Sequence, residues 1–272
     1  MSTLRKKLQA AAVGFALLGS ASAFATTITN SAGTFANWGG FDWAADGLAV
    51  VQGYDASNAV GDSFQLTYYA TAAQLRNSTG GIAGFGLANV GIILGNFEYT
   101  IRVILNETST CTAFAGFCTS ASFATTSGSF EVFYDTSVDA VRTTGAGYTD
   151  GTLLIEGTIP AQASGGFNVI TGGSATIQGD VTFTSPLINP SLLGTTATST
   201  LQLGGTVTSF VPPTSMVGDA GGTSPLAVGD LVFQADANQD FTARPVPEPG
   251  TLALAGLAML GIGFARARRS NV

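Results

Sequence analysis

Histidine is absent from this chain. The commonest general base and the commonest metal ligand are therefore missing from any chemistry it performs. A Ser-His-Asp or Cys-His arrangement is impossible on it. There is no Gly-x-Ser-x-Gly elbow and no Gly-Lys-Ser/Thr phosphate loop. Lysine occurs only as Lys6 and Lys7. Residues 26–245 hold four arginines (Arg76, Arg102, Arg142, Arg244) against sixteen acidic residues, a net charge of −12. A phosphate backbone is bound by neutralising it with Lys and Arg, so nucleic acid is excluded as a partner. Anionic lipid surfaces are disfavoured for the same reason. Carboxylate-pair catalysis is the one hydrolytic chemistry left open, with Glu98, Glu107, Glu131 and Glu156 as its candidates. Glu98, Glu131 and Glu156 lie in alternating runs, where a solvated outer strand face accounts for them equally well.

Cysteine is scarce too. Cys111 and Cys118 are the only two. Their spacing is wrong for a Cys-x-x-Cys redox pair, and a metal site needs more ligands. In an oxidising exported setting the pair reads as a disulfide pinning a surface loop.

What is present is β-pattern. Asp62 to Thr71, Phe97 to Asn106, Ser129 to Asp135, Leu153 to Ile159, Ala175 to Ser185, Ser199 to Phe210 and Asp230 to Ala235 read as strands, divided by Gly, Asn, Asp and Ser. Phe97, Tyr99, Ile101 and Val103 alternate with Glu98, Thr100 and Arg102, the mark of a half-buried antiparallel strand. The glycines between Gly80 and Gly95 argue for a loop or bulged strand there, and Ala70 to Arg76 for a turn or two of helix. No stretch sustains apolar spacing at i, i+3, i+4 and i+7, and no internal repeat has a fixed period. The fold expected is an all-β, antiparallel sandwich-like single domain over residues 26–243.

The ends differ from the body. Arg5, Lys6 and Lys7 precede the apolar Leu8 to Leu18, and Ala21-Ser22-Ala23 and Ala23-Phe24-Ala25 supply small-x-small cleavage patterns. Residues 1–25 read as a signal peptide cut by signal peptidase after Ala25, with Ala23 the competing site and an uncleaved anchor the alternative. At the other end, residues 244–272 comprise a motif at 246–250, Val-Pro-Glu-Pro-Gly, an uncharged apolar run at 251–265 and a basic tail at 266–272 with Arg266, Arg268 and Arg269. Proline locks φ and extends its neighbour, so Pro247-Glu248-Pro249 stands as a rigid, solvated strip that an enzyme in the membrane can read. The apolar run is short for a single transmembrane helix, and the arginines hold its C-terminus on the cytoplasmic side.

This three-part tail resembles the PEP-CTERM sorting signal of Gram-negative bacteria. The resemblance covers Val246 to Arg269 and implies an exosortase as processing partner, with Pro247, Glu248 and Pro249 as the processing site. It implies a transient stay in the inner membrane before the cell surface or extracellular matrix. It carries over no catalytic residue in the body. Phe130 to Asp135, Thr143 to Leu154 and Phe233 to Asn238 also look similar to segments of flocculation-associated members. That similarity implies work with exopolysaccharide in cell aggregation or biofilm.

Two further candidates each carry two readings. Asp236-x-Asn238-x-Asp240 matches the opening ligands of a calcium loop, but Phe241 stands where such a loop turns on glycine and Pro247 where its closing acid belongs. A hairpin turn explains the same polar residues. Trp38 and Trp43, near Asn37, Asp42 and Asp46, suit a glycan-contact surface. They suit the core of an N-terminal hairpin as well. The expected function is a non-enzymatic, exosortase-processed surface or matrix protein that needs no cofactor. The alternatives are an extracellular polysaccharide-active enzyme using a carboxylate pair, and a calcium-dependent adhesin.

Overall fold

The computed structural model describes residues 26–168, 171–204 and 231–242. The signal-peptide sites Ala23 and Ala25, the Pro247-Glu248-Pro249 strip, the apolar run 251–265 and the loop 212–225 lie outside them. In chain order the elements are β1 (Thr27–Asn30), β2 (Gly33–Phe35), β3 (Trp38–Trp43), β4 (Gly47–Gln52), β5 (Ser63–Asn77), α1 (Gly86–Ile93), β6 (Glu98–Phe114), β7 (Cys118–Asp135), β8 (Thr152–Ile159), β9 (Gln162–Asn168), β10 (Gly172–Thr184), β11 (Ile188–Asn189), β12 (Thr196–Leu203) and β13 (Leu231–Thr242).

The all-β antiparallel reading holds, and the main sheet also closes on itself. β5 to β8, β10, β12 and β13 pair in sequence order, and β13 returns through β3 and β4 to β5 while pairing β12 on its other side. β3 and β4 run in the same direction and pair successive halves of β5 and β13, so together they fill one strand position. β8 and β9 share another between β7 and β10. The result is an up-and-down ring of about eight positions, a number whose interior side chains can fill completely. Its facing walls pack like the layers of a sandwich.

One end of this ring organises the rest. β5, β7, β10 and β13 finish there, and β3, β6, β8 and β12 begin there, as the pairs Trp38–Asn77, Glu98–Asp135, Tyr134–Thr152 and Thr196–Thr242 require. A small sheet ordered β11-β1-β2 closes this end. Asn30 Nδ2 donates to Tyr99 Oη at 2.9 Å, and the Ser31 amide donates to Tyr134 Oη at 2.9 Å, tying cap to wall. Helix α1 sits here as well, its Asn89 Oδ1 accepting the Leu75 amide at 2.8 Å. Phe85 beneath it lies 6.5 Å from the Phe35 ring.

The core follows the strand period. Trp38, Phe41 and Trp43 from β3, Leu66 and Tyr68 from β5, Ile101 and Leu105 from β6 and Phe130 and Val132 from β7 are all buried in one cluster. Phe130 lies along the inner wall over Gly157 of the neighbouring β8 and Gly179 of β10, where added Cβ atoms would lie 2.2 Å and 2.9 Å from its ring. A residual void of about 30 Å³ remains beside Trp43 and Tyr68. A second, smaller cluster lies on the outer wall, where Tyr148 of the β7–β8 loop covers Leu48, Val50 and Tyr69.

At the far end, β6 and β7 extend as a hairpin clasped by the Cys111–Cys118 disulfide. The bridge closes a short loop outside the barrel core, so the chain-entropy contribution is about 2–3 kcal/mol. Replacing both cysteines with alanine is expected to lower stability by at most that amount and leave the far-ultraviolet circular dichroism unchanged. Denaturant titration with and without reductant checks this.

Three local expectations are corrected. Ala70 to Arg76 is strand, because β3 supplies a paired edge to that half of β5. The glycine-rich stretch contains a helix, α1. Its packing overrides its poor propensity, since Gly91 lets the helix backbone approach Phe97 so closely that a Cβ would sit 2.4 Å from the ring. The Asp236 to Asp240 segment is neither a cation loop nor a hairpin turn but the middle of the unbroken strand β13.

Candidate functional site

The closed barrel leaves its polar chemistry on the outer wall and at the two ends. On β13, Asp236, Asn238 and Asp240 alternate with the buried Ala235, Ala237 and Gln239. They therefore share the outer face, with neighbours roughly 7 Å apart along the strand, a row that cannot converge on one ion. Arg76 reaches Asp240 at 3.7 Å. Asp42 pairs with Asn238, and its carboxyl is raised by burial against the lowering effect of Arg76. The Asp-x-Asn-x-Asp run is thus an ordinary outer strand face.

Trp38 and Trp43 are not a sugar platform. Each is 1% exposed. Trp43 stacks on Phe41 at 4.9 Å and Trp38 meets the same ring edge-on at 5.2 Å. Strand periodicity turns Phe41 and Trp43 inward, and the bulge between Trp38 and Gly40 brings Trp38 onto the same face, where the core claims all three.

The four glutamates separate into three environments. Glu131 faces Arg102 across β6–β7, accepting Nε at 2.9 Å and Nη2 at 2.5 Å. Glu156 stands opposite Glu131 on β8. This row lies on the outer wall, as its alternation suggests. Glu98 does not stay solvated. It is 5% exposed because the β7–β8 loop folds over it, donating the Asp139 and Ala140 amides at 3.0 Å each. Thr100 beside it donates to the Tyr148 carbonyl at 2.7 Å. Glu107 points inward near the far end, 3% exposed, and accepts Thr125 Oγ1 at 3.1 Å and Ser164 Oγ at 2.9 Å.

Burial raises both carboxyls above their ordinary value of 4.5, with the amide and hydroxyl bonds opposing it. Between that value and the raised one the folded chain binds more protons than the unfolded chain. Their stabilising contribution is therefore full below 4.5 and lost as pH rises through the raised values. Exposed Asp55 works the other way, since Ser57 bonds lower it and its contribution is lost on acidification. Glu98 and Glu107 are enclosed whereas Asp55 is exposed to screening by water and salt, so the two glutamates set the sign of the pH dependence. The melting temperature is expected to be higher near about pH 5 than near about pH 8, and Glu107→Gln is expected to flatten that slope. A thermal-shift pH series checks both.

One grouping escaped the sequence. Asp135, Asp139 and Asp150 bring carboxylate oxygens within 4.8 Å of one another at the capped end. They are the described residues best placed to hold a hard cation, whose shell is built from such oxygens. The Asp139 carboxyl is raised by desolvation and by its neighbours Asp150 and Asp135. No spacing rule could reveal this cluster, because the β7–β8 loop folds back to make it.

The last described residue, Thr242, leaves β13 at the same capped end. Beyond Thr242 the sequence runs on into Pro247-Glu248-Pro249, the apolar residues 251–265 and Arg266, Arg268 and Arg269. Residues 245–269 match the family model of the PEP-CTERM protein-sorting motif. The chain carries that motif, which implies an exosortase as processing partner, with export and membrane-anchored processing on the way to the cell surface. No curated protein and no solved structure matches the chain.

Proposed function

We propose that this is a non-enzymatic matrix or surface protein. An exosortase releases it from the membrane, and it then promotes cell aggregation or biofilm cohesion with exopolysaccharide. The observation that carries the reading is the sorting motif at residues 245–269, delivered from the capped end of the barrel. Three features support the non-enzymatic part. The chain has no histidine. Glu98 and Glu107 are engaged in structural hydrogen bonds. Arg102 neutralises Glu131. The lysine-free, acidic body suits a soluble component of a hydrated matrix.

Deleting the gene is the test. The expected result is slower sedimentation of cell suspensions and a matrix depleted of bound polysaccharide, both restored by the intact gene. Unchanged aggregation and matrix composition would sink the role. Release of reducing sugar from matrix polysaccharide by the purified chain would instead favour the enzyme reading.

A further inference from the structure

Exposed large apolar side chains gather on and beside helix α1. Ile82 before it, Leu87, Val90 and Ile93 within it and its C-cap Leu94 are between 48% and 73% exposed. At 3.6 residues per turn, Leu87, Val90, Ile93 and Leu94 fall within about a third of the helix circumference, while Ala88, Asn89 and Gly91 face the barrel. No charged residue occurs between Arg76 and Glu98. An uncharged helix of large aliphatic side chains turned to water is what interaction surfaces look like, and it is unnecessary for this core.

The place of the helix says what covers it. It joins β5 to β6, so it sits at the end of the barrel from which Thr242 departs. β13 and β5 are separated only by β3. At about 4.8 Å per strand, the exit point is roughly 10 Å from the root of the helix. Only residues 243–250 separate Thr242 from the apolar run at 251–265. Fully extended, that link spans at most about 30 Å. Whenever the apolar run is in the bilayer, the capped end is held within that distance of the surface.

We infer that α1 is a lipid-docking element: while the tail is inserted, the Leu87–Val90–Ile93–Leu94 face rests in the interfacial layer of the membrane and sets the barrel on its capped end. The inference rests on reading residues 251–265 as membrane-inserted. The lipid is zwitterionic in character. The patch has no cation to offer, and Asp135, Asp139 and Asp150 at the same end repel an anionic surface. Docking in this way holds the end from which the Pro-Glu-Pro strip emerges near the plane of the membrane. Removal of the tail ends the enforced proximity, and an eight-residue helix alone binds lipid weakly and reversibly.

The test uses the full chain in vesicles of zwitterionic phospholipid with acyl chains brominated at a known depth. Native Trp38 and Trp43 are buried, so they contribute little quenchable emission. Val90→Trp reports on α1, and Phe117→Trp reports on the disulfide hairpin at the opposite end. Flotation of the chain with the vesicles reports on the tail independently. The expected result is flotation, with the extra emission of Val90→Trp blue-shifted and quenched and that of Phe117→Trp unchanged. Adding Leu87→Asp and Ile93→Asp to the Val90→Trp chain is expected to abolish the quenching while flotation persists. Flotation without quenching at position 90 overturns the docking and leaves the tail reading standing. A shielded position 90 in a chemically cross-linkable dimer, again without lipid quenching, overturns it in favour of a second copy. Failure to float overturns both.

Discussion

Trp43→Ala is expected to lower the stability of the barrel by about 3–5 kcal/mol. That is a large share of the 5–15 kcal/mol typical of whole folds. Trp43 is 1% exposed, stacks on Phe41 and lines the small void with Tyr68, Ile101 and Phe130. Truncation adds its volume to that void. The ring cannot be replaced by collapse, because β3 is held from both sides by β5 and β13. Trp43→Phe is expected to behave differently. Its indole Nε1 has no hydrogen-bond partner among the described residues, so the smaller ring loses packing but also removes a buried unsatisfied donor. The two effects oppose each other, and the net change should stay below about 1.5 kcal/mol. Chemical denaturation of the three proteins checks both numbers. A glycan-contact role for Trp43 predicts the opposite pattern, with full stability in Trp43→Ala and lost polysaccharide binding.

Replacing Pro247, Glu248 and Pro249 together with alanine is expected to abolish release from the membrane. The triplet combines two prolines, whose rings fix φ, with one carboxylate, and alanine removes both the stiffness and the charge. The barrel contains none of these residues, so folding and the disulfide should be unaffected. Accumulation of full-length protein in the membrane fraction, with none in the medium, is the readout. Normal release would show that processing does not depend on the strip. Changing Arg266, Arg268 and Arg269 to alanine provides a contrast, since it weakens the orientation of the apolar run while leaving the strip intact.

The sequence disclosed the architecture where each strand has one wet face. β6 is the clearest case: Tyr99, Ile101, Val103 and Leu105 point inward, as their alternation implies. It disclosed less where a second layer covers the outside. Glu98 and Thr100 read as solvated, yet the β7–β8 loop buries both. Helix α1 was hidden by its glycines, because local propensity disfavours helix there and the contact between Gly91 and Phe97 is tertiary. Closure of the sheet depends on β12 meeting β13, a pairing that no local pattern announces. The same holds for the Asp135–Asp139–Asp150 cluster. The sorting motif was legible, since it lies in contiguous residues, 245–269.

Intact mass and fractionation of the native protein, from a host with and without its exosortase, test the central claim most directly. The account predicts a product that begins near Thr26, ends near Pro249 and is free of the membrane only when the exosortase is present. An uncleaved chain held by residues 251–265 in both strains would contradict it and would make the tail a simple anchor.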